Sequence, residues 1–114
     1  MDSFLFQNRP TDTDALVVLV PKGLEQIEIN SIWVSEVLGE ATTFSIFINR
    51  DILETGVKVF NEDNALMFNS PIEANQVINI TGTKLISLDN PSTQLVIQVG
   101  TASSVNFTGF GNIT

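Results

Sequence analysis

Paired carboxylates are the only catalytic device that this composition leaves open. The chain has no His, no Cys and no Tyr, and those side chains supply most of the groups that exchange protons or act as nucleophiles near neutral pH. Asp12 and Asp14, Glu25 and Glu28, and Glu62 and Asp63 are the obvious pairs. Hydrolysis of a glycosidic bond needs two carboxyls held across a cleft at about 5–9 Å. Nothing in the sequence suggests a cleft, and acids in loops are usually solvated surface, so no enzyme activity and no catalytic residue are expected. Calcium is the one metal worth weighing, because its ligands are oxygens. Asn61-Glu62-Asp63-Asn64 and Asp12-Thr13-Asp14 are rich in such oxygens, yet neither has the spacing of an EF-hand loop. Solvated turns are the expectation there, with no metal and no cofactor.

Two aromatic positions invite a binding role instead. Trp33, the single tryptophan, falls out of phase between Ile32 and Val34. A core position at a bend is the first reading; an exposed platform for a sugar or another protein is the second. Phe47 lies on the polar side of an alternating strand, which makes it a candidate for a subunit contact. The five basic residues, Arg9, Lys22, Arg50, Lys58 and Lys84, are scattered and form no phosphate-binding cluster.

Composition narrows the classes further. Thirteen acids against five bases give a net charge of −8, with a pI near 4.1. Nucleic-acid binding needs the opposite sign, and the same charge repels anionic membranes; neither partner is expected. The absence of Cys excludes a disulfide scaffold and thiolate metal sites. The start, Met1-Asp2-Ser3-Phe4-Leu5-Phe6-Gln7-Asn8-Arg9-Pro10, lacks the basic segment and long apolar core of a signal peptide. The Asn-x-Ser/Thr triplets at Asn79, Asn106 and Asn112 are therefore read as coincidental rather than as glycosylation sites. At 12.4 kDa the folded surface should be about 6,100 Å2, enough for one core and too little for two domains. A mean hydropathy of +0.23 is high for a chain whose longest apolar run, Ala15 to Val20, is far too short to cross a bilayer. Burial against other subunits is the expected destination of the surplus apolar surface.

The elements that must carry these residues are strands. Leu16 to Val20 ends at the turn Pro21-Lys22-Gly23. Glu25 to Ile29 alternates, and the apolar parity switches after Asn30-Ser31 to Ile32 and Val34, which predicts a bulge or bend. Leu38-Gly39-Glu40-Ala41 reads as a connection. Thr43 to Asn49 is the clearest strand, with Phe44, Ile46 and Ile48 on the core face. Turns are expected at Asn49-Arg50-Asp51 and Glu54-Thr55-Gly56, and short strands over Val57 to Phe60 and Ala65 to Phe68, the latter stopped by Asn69-Ser70-Pro71. Val77 to Thr81 resumes β character before Gly82. Leu85, Ile86 and Leu88 precede a turn at Asp89-Asn90-Pro91-Ser92. Gln94 to Val99 places Leu95, Ile97 and Val99 inward, and Gly100 to Ser103 returns into Val105 and Phe107. Seven to nine strands predict a single antiparallel β-sandwich, jelly-roll-like or Ig-like, over residues 15–114. Residues 1–14 stand apart: Phe4, Leu5 and Phe6 form an apolar plug, followed by a polar stretch holding Pro10. The segment reads as a first strand or as an extended N-terminal arm that docks on a neighbouring subunit.

The order of segments resembles that of small tailed-bacteriophage virion proteins. The matching features are Val20-Pro21-Lys22-Gly23, the strand Glu25 to Val34 with its connection Val37 to Ala41, and the strand Thr43 to Asn49. Ser70-Pro71-Ile72-Glu73-Ala74-Asn75, Leu85 to Asp89, and the ending Leu95-Val96-Ile97-Gln98-Val99 through Thr101-Ala102-Ser103-Ser104-Val105-Asn106-Phe107 to Gly109 complete the likeness. Where such chains close the third hairpin with a Gly or Asp turn, this one has Asn49-Arg50-Asp51-Ile52-Leu53. The resemblance implies a non-enzymatic structural protein made in the host cytoplasm and carried on the virion, with no active site. Its first form is a capsid decoration (cement) protein that binds the major capsid protein on the outer surface and stabilises the shell. A tail, fibre or adaptor component is the alternative, and a carbohydrate-binding module using Trp33 is a third. Members are commonly trimers, so a homo-oligomer is expected, with Phe4, Leu5, Phe6, Trp33 and Phe47 as the candidate interface residues.

Overall fold

The computed structural model describes residues 2–50, 65–87 and 93–114. The described residues form eight strands: β1 Ser3–Asn8, β2 Leu16–Leu19, β3 Gln26–Glu36, β4 Thr42–Arg50, β5 Ala65–Ile72, β6 Val77–Ser87, β7 Thr93–Val99 and β8 Val105–Ile113. They build two four-stranded sheets, ordered β1-β8-β3-β6 and β2-β7-β4-β5, and every neighbouring pair is antiparallel. The pairing of β1 with β8, β2 with β7, β3 with β6 and β4 with β5 is that of one long antiparallel ribbon rolled over itself. This connectivity is a jelly roll, and it decides between the two sandwich types in favour of that one.

The strands form where alternation allows one face to be buried. Ile27, Ile29, Ile32, Val34, Val105 and Phe107 from the first sheet meet Phe44, Ile46, Ile72, Leu95, Ile97 and Val99 from the second. Phe44 and Phe107 bridge the sheets edge to face, with ring centroids 6.1 Å apart. The parity switch in β3 is a true irregularity: register shifts between Ile29 and Ser31 against both β6 and β8. The extra residue lets Ile29 and Ile32 both face the core. The total accessible surface, 6126 Å2, matches what a compact chain of this mass should expose.

Several punctuation signals proved weaker than the pairing around them. Asn49 and Arg50, read as a turn, stay in β4 opposite Gln94 and Thr93. Asn69-Ser70-Pro71, read as a stop, lies inside β5. Asn69 takes φ 46° beside a register shift, and β5 is an outermost strand, where a proline need not donate. Gly82 does not end β6, which continues through a φ of 108° to Ser87. The strand expected at Val57 to Phe60 and the turns at Glu54-Thr55-Gly56 and at Asp89 to Ser92 lie outside the described residues.

The N-terminal plug is divided between inside and outside. Ser3–Asn8 is the outermost strand of the first sheet, with a register shift between Phe4 and Phe6. That shift lets both Leu5 and Phe6 reach the core, while Phe4 stays 61% exposed and meets Phe110 edge to face at 6.2 Å. Phe6 lies over Gly109, where an added Cβ would strike its ring. Beyond β1 the chain runs without regular structure to β2, tied by Ser103 N donating to Pro10 O at 2.8 Å.

Candidate functional site

Two places gather side chains that the packing of the sandwich alone does not require. The first is one end of the barrel-like roll, where the β3–β4 and β5–β6 connections meet. Glu36 continues the inward parity of Ile32 and Val34 and is only 4% exposed. Its Oε1 accepts from the backbone N–H groups of Gly39 (2.8 Å), Asn75 (2.8 Å) and Glu40 (3.2 Å), and its Oε2 accepts from Leu38 N (2.8 Å). The Asn75 amide does most to hold the carboxyl below its ordinary pKa. Burial works against it, and the Leu38, Gly39 and Glu40 amides add to the lowering. Gly39 and Asn75 both take positive φ, 80° and 59°, which turns their N–H groups toward the one carboxylate.

This clamp fixes what the end presents. Glu36 N donates to Gln76 O and Val37 N to Ser104 O, so the loop is stitched to β6 on one side and β8 on the other. Val37, Leu38 and Val77 project there as exposed apolar side chains, Leu38 at 52% and Val77 at 56%. The opposite end carries Leu24, exposed just before the Gln26–Thr114 backbone pair, and Ile113.

The second place is the outer face of the first sheet. Trp33 lies there 41% exposed, which corrects the expectation of a core position: its neighbours Ile32 and Val34 take the inward places, and alternation leaves Trp33 facing out. Across the strands it stands opposite Thr108 on β8 and Asn79 on β6, and Thr108 stands opposite Gln7 on β1. Along the next row Ser35 lies between Asn106 and Val77. Asn106 Nδ2 donates to Thr108 Oγ1 at 3.4 Å. The acids of this face, Glu28 and Asp2, sit toward its far end, where Asp2 Oδ1 accepts from Asn30 Nδ2 at 2.7 Å.

The remaining expected residues are dispersed. Phe6 and Phe47 are buried within the chain itself, so neither offers a surface to a second subunit. Phe47 occupies the outward parity of β4, but pairs with buried Val96 and meets the ring of Phe68 at 6.2 Å, part of an apolar layer on the outside of the second sheet. Phe4 and Trp33 remain exposed, and both belong to the first sheet's outer face. Among the carboxylate pairs, Asp12 Oδ1 accepts from Asp14 N at 3.0 Å and Glu25 Oε1 accepts from Lys22 N at 2.8 Å. Each acid thus closes its own turn. Glu62 and Asp63 lie outside the described residues, and among the described residues no group of three or more acids could hold a metal ion.

Sequence reasoning missed Glu36, although a signal existed: an acid on the apolar parity of a strand, three residues before a glycine. It also missed Asn79, Thr108 and Gln7, whose placement beside Trp33 depends on strand order. Compared with known proteins, the chain matches no family model, and neither a curated protein nor a solved structure matches it significantly.

Proposed function

We propose that the chain is a non-enzymatic structural protein of a phage particle, a decoration protein that binds the major capsid protein on the outer surface and reinforces the shell. The observation that carries this reading is the clamped end of the roll. A loop held by three of its own amides on one buried carboxylate, and joined through it to Asn75 N of the β5–β6 connection, is preorganised, and it presents Val37 and Leu38 beside Val77 without having to order them on contact. Apolar side chains on a rigid, water-facing tip suit docking better than solitary life in solution. Jelly rolls recur in viral capsids and lectins, and the charge of −8 suits a surface facing away from packaged nucleic acid. The protein acts as a homotrimer, a closed assembly that can sit on a threefold position and contact several capsid subunits at once.

Imaging of intact particles tests the reading directly. Density for the roll on the outer shell, at threefold or quasi-threefold positions with Val37 and Leu38 toward the capsid, is the expected result. Density only at the tail, or none on the particle, would overturn it. Leu38→Asp should leave the roll folded and abolish binding to undecorated shells.

A further inference from the structure

We propose that the outer face of the first sheet, centred on Trp33, is a binding site for an uncharged glycan. This goes beyond the structural role above and does not depend on it. Trp33 is exposed in the middle of a row that crosses all four strands, Gln7, Thr108, Trp33 and Asn79. At ordinary strand spacing the row is about 14 Å wide, the reach of a short oligosaccharide. An indole offers an electron-rich plate on which the C–H face of a pyranose packs. The amides of Asn79, beside it, and of Gln7, beyond Thr108 at the other end of the row, supply both donors and acceptors, as sugar hydroxyls require. The Thr108 hydroxyl, accepting from Asn106 Nδ2, has its own proton left to donate outward.

The competing ligand classes fit this surface less well. Single-stranded nucleic acid also stacks its bases on aromatics of a sheet face, but needs basic groups along its backbone, and the net charge here is −8. The core of a protein interface is enriched in aromatics and depleted in serine, whereas the row that holds Trp33 is otherwise hydroxyl and amide, with Val77 and Phe110 standing in the adjacent rows opposite Ser35 and Ser31. The row and its neighbours Ser35 and Asn106 carry no charge, in a chain where 16% of residues are charged. A neutral polar ligand is what such a surface complements.

The single tryptophan and the absence of tyrosine make the intrinsic emission a direct report on Trp33. The full chain is titrated with neutral oligosaccharides of glucose, mannose, galactose and N-acetylglucosamine up to about 10 mM, with sialylated and uronic-acid oligosaccharides as charged arms. At least one neutral probe should give a saturable emission shift and protect Trp33 from acrylamide quenching. Trp33→Ala, followed by calorimetry because the fluorophore is gone, should abolish that binding. Asn79→Ala, at an exposed position on an outermost strand, should weaken it about tenfold and keeps the test valid if Trp33→Ala fails to fold. No response to any neutral probe, binding only to charged ones, or unchanged affinity in Asn79→Ala would overturn the proposal. So would an emission shift that follows protein concentration alone, which would mean that a second copy covers the face.

Discussion

At the scale of single residues, the one buried acid among the described residues, Glu36, serves architecture. Glu36 is charged because four amide donors surround it, and its folded pKa lies below the ordinary value. Its contribution to stability is therefore complete above the unfolded-state value of about 4.3 and is lost as pH falls through the lower, folded value. Thermal melts between neutral pH and strong acid should show Tm falling in that window. Glu36→Gln should have a lower Tm at neutral pH and a flatter acid limb, because its NH2 group faces N–H groups that want an acceptor. An unchanged acid limb in this variant would assign the pH dependence to other carboxyls. Glycines in β8 make a second residue-scale case. A Cβ at Gly109 would meet the Phe6 ring, and one at Gly111 would meet the backbone carbonyl of Glu28. A ring can swing aside and a paired backbone cannot, so Gly109→Ala should cost about 1–3 kcal/mol and Gly111→Ala more. In denaturant melts Phe6→Ala should relieve the Gly109→Ala cost and leave the Gly111→Ala cost untouched.

At the scale of elements, β1 is the instructive case. Its composition allowed either a first strand or an arm for a neighbour. What decides is a partner about a hundred residues away: β8 offers Gly109 as the space into which Phe6 fits, and no local pattern announces that. Deleting residues 1–8 should accordingly remove Phe6 from over Gly109 and leave the edge of β8 unpaired. Circular dichroism and melting should then show a strongly destabilised or unfolded chain. A truncated chain that melts like the intact one would return these residues to the status of a detachable arm. The same logic separates what was legible from what was not. Phe44, Ile46, Leu95, Ile97 and Val99 were placed in the core by alternation, and the β3 irregularity by a parity switch, because both signals are local. Asn69-Ser70-Pro71 and Gly82 misled because neighbouring strands enforce β geometry through residues that punctuate isolated chains. Trp33 followed alternation as well, and its outward position was readable from Ile32 and Val34. Its polar cross-strand partners Thr108 and Asn79 were not, since they require knowing that β8 and β6 flank β3.

At the scale of the whole molecule, charge and apolar surface pull in opposite directions, and that conflict makes the proposed trimer testable. Each subunit carries a net charge of −8, so bringing three together raises like-charge repulsion over a range of about 10 Å at 0.1 M salt. The attractive part must come from exposed apolar side chains such as Phe4, Leu24 and Ile113, whose burial is insensitive to screening. Added salt therefore removes the opposing term and leaves the driving one. Sedimentation equilibrium across about 0.05 to 0.5 M NaCl should show the monomer–trimer balance moving toward trimer as salt rises. A balance that moves toward monomer would mean that ion pairs hold the subunits together. A chain that stays monomeric throughout, at concentrations where decorated particles form, would show that the capsid and not a second copy buries this surface.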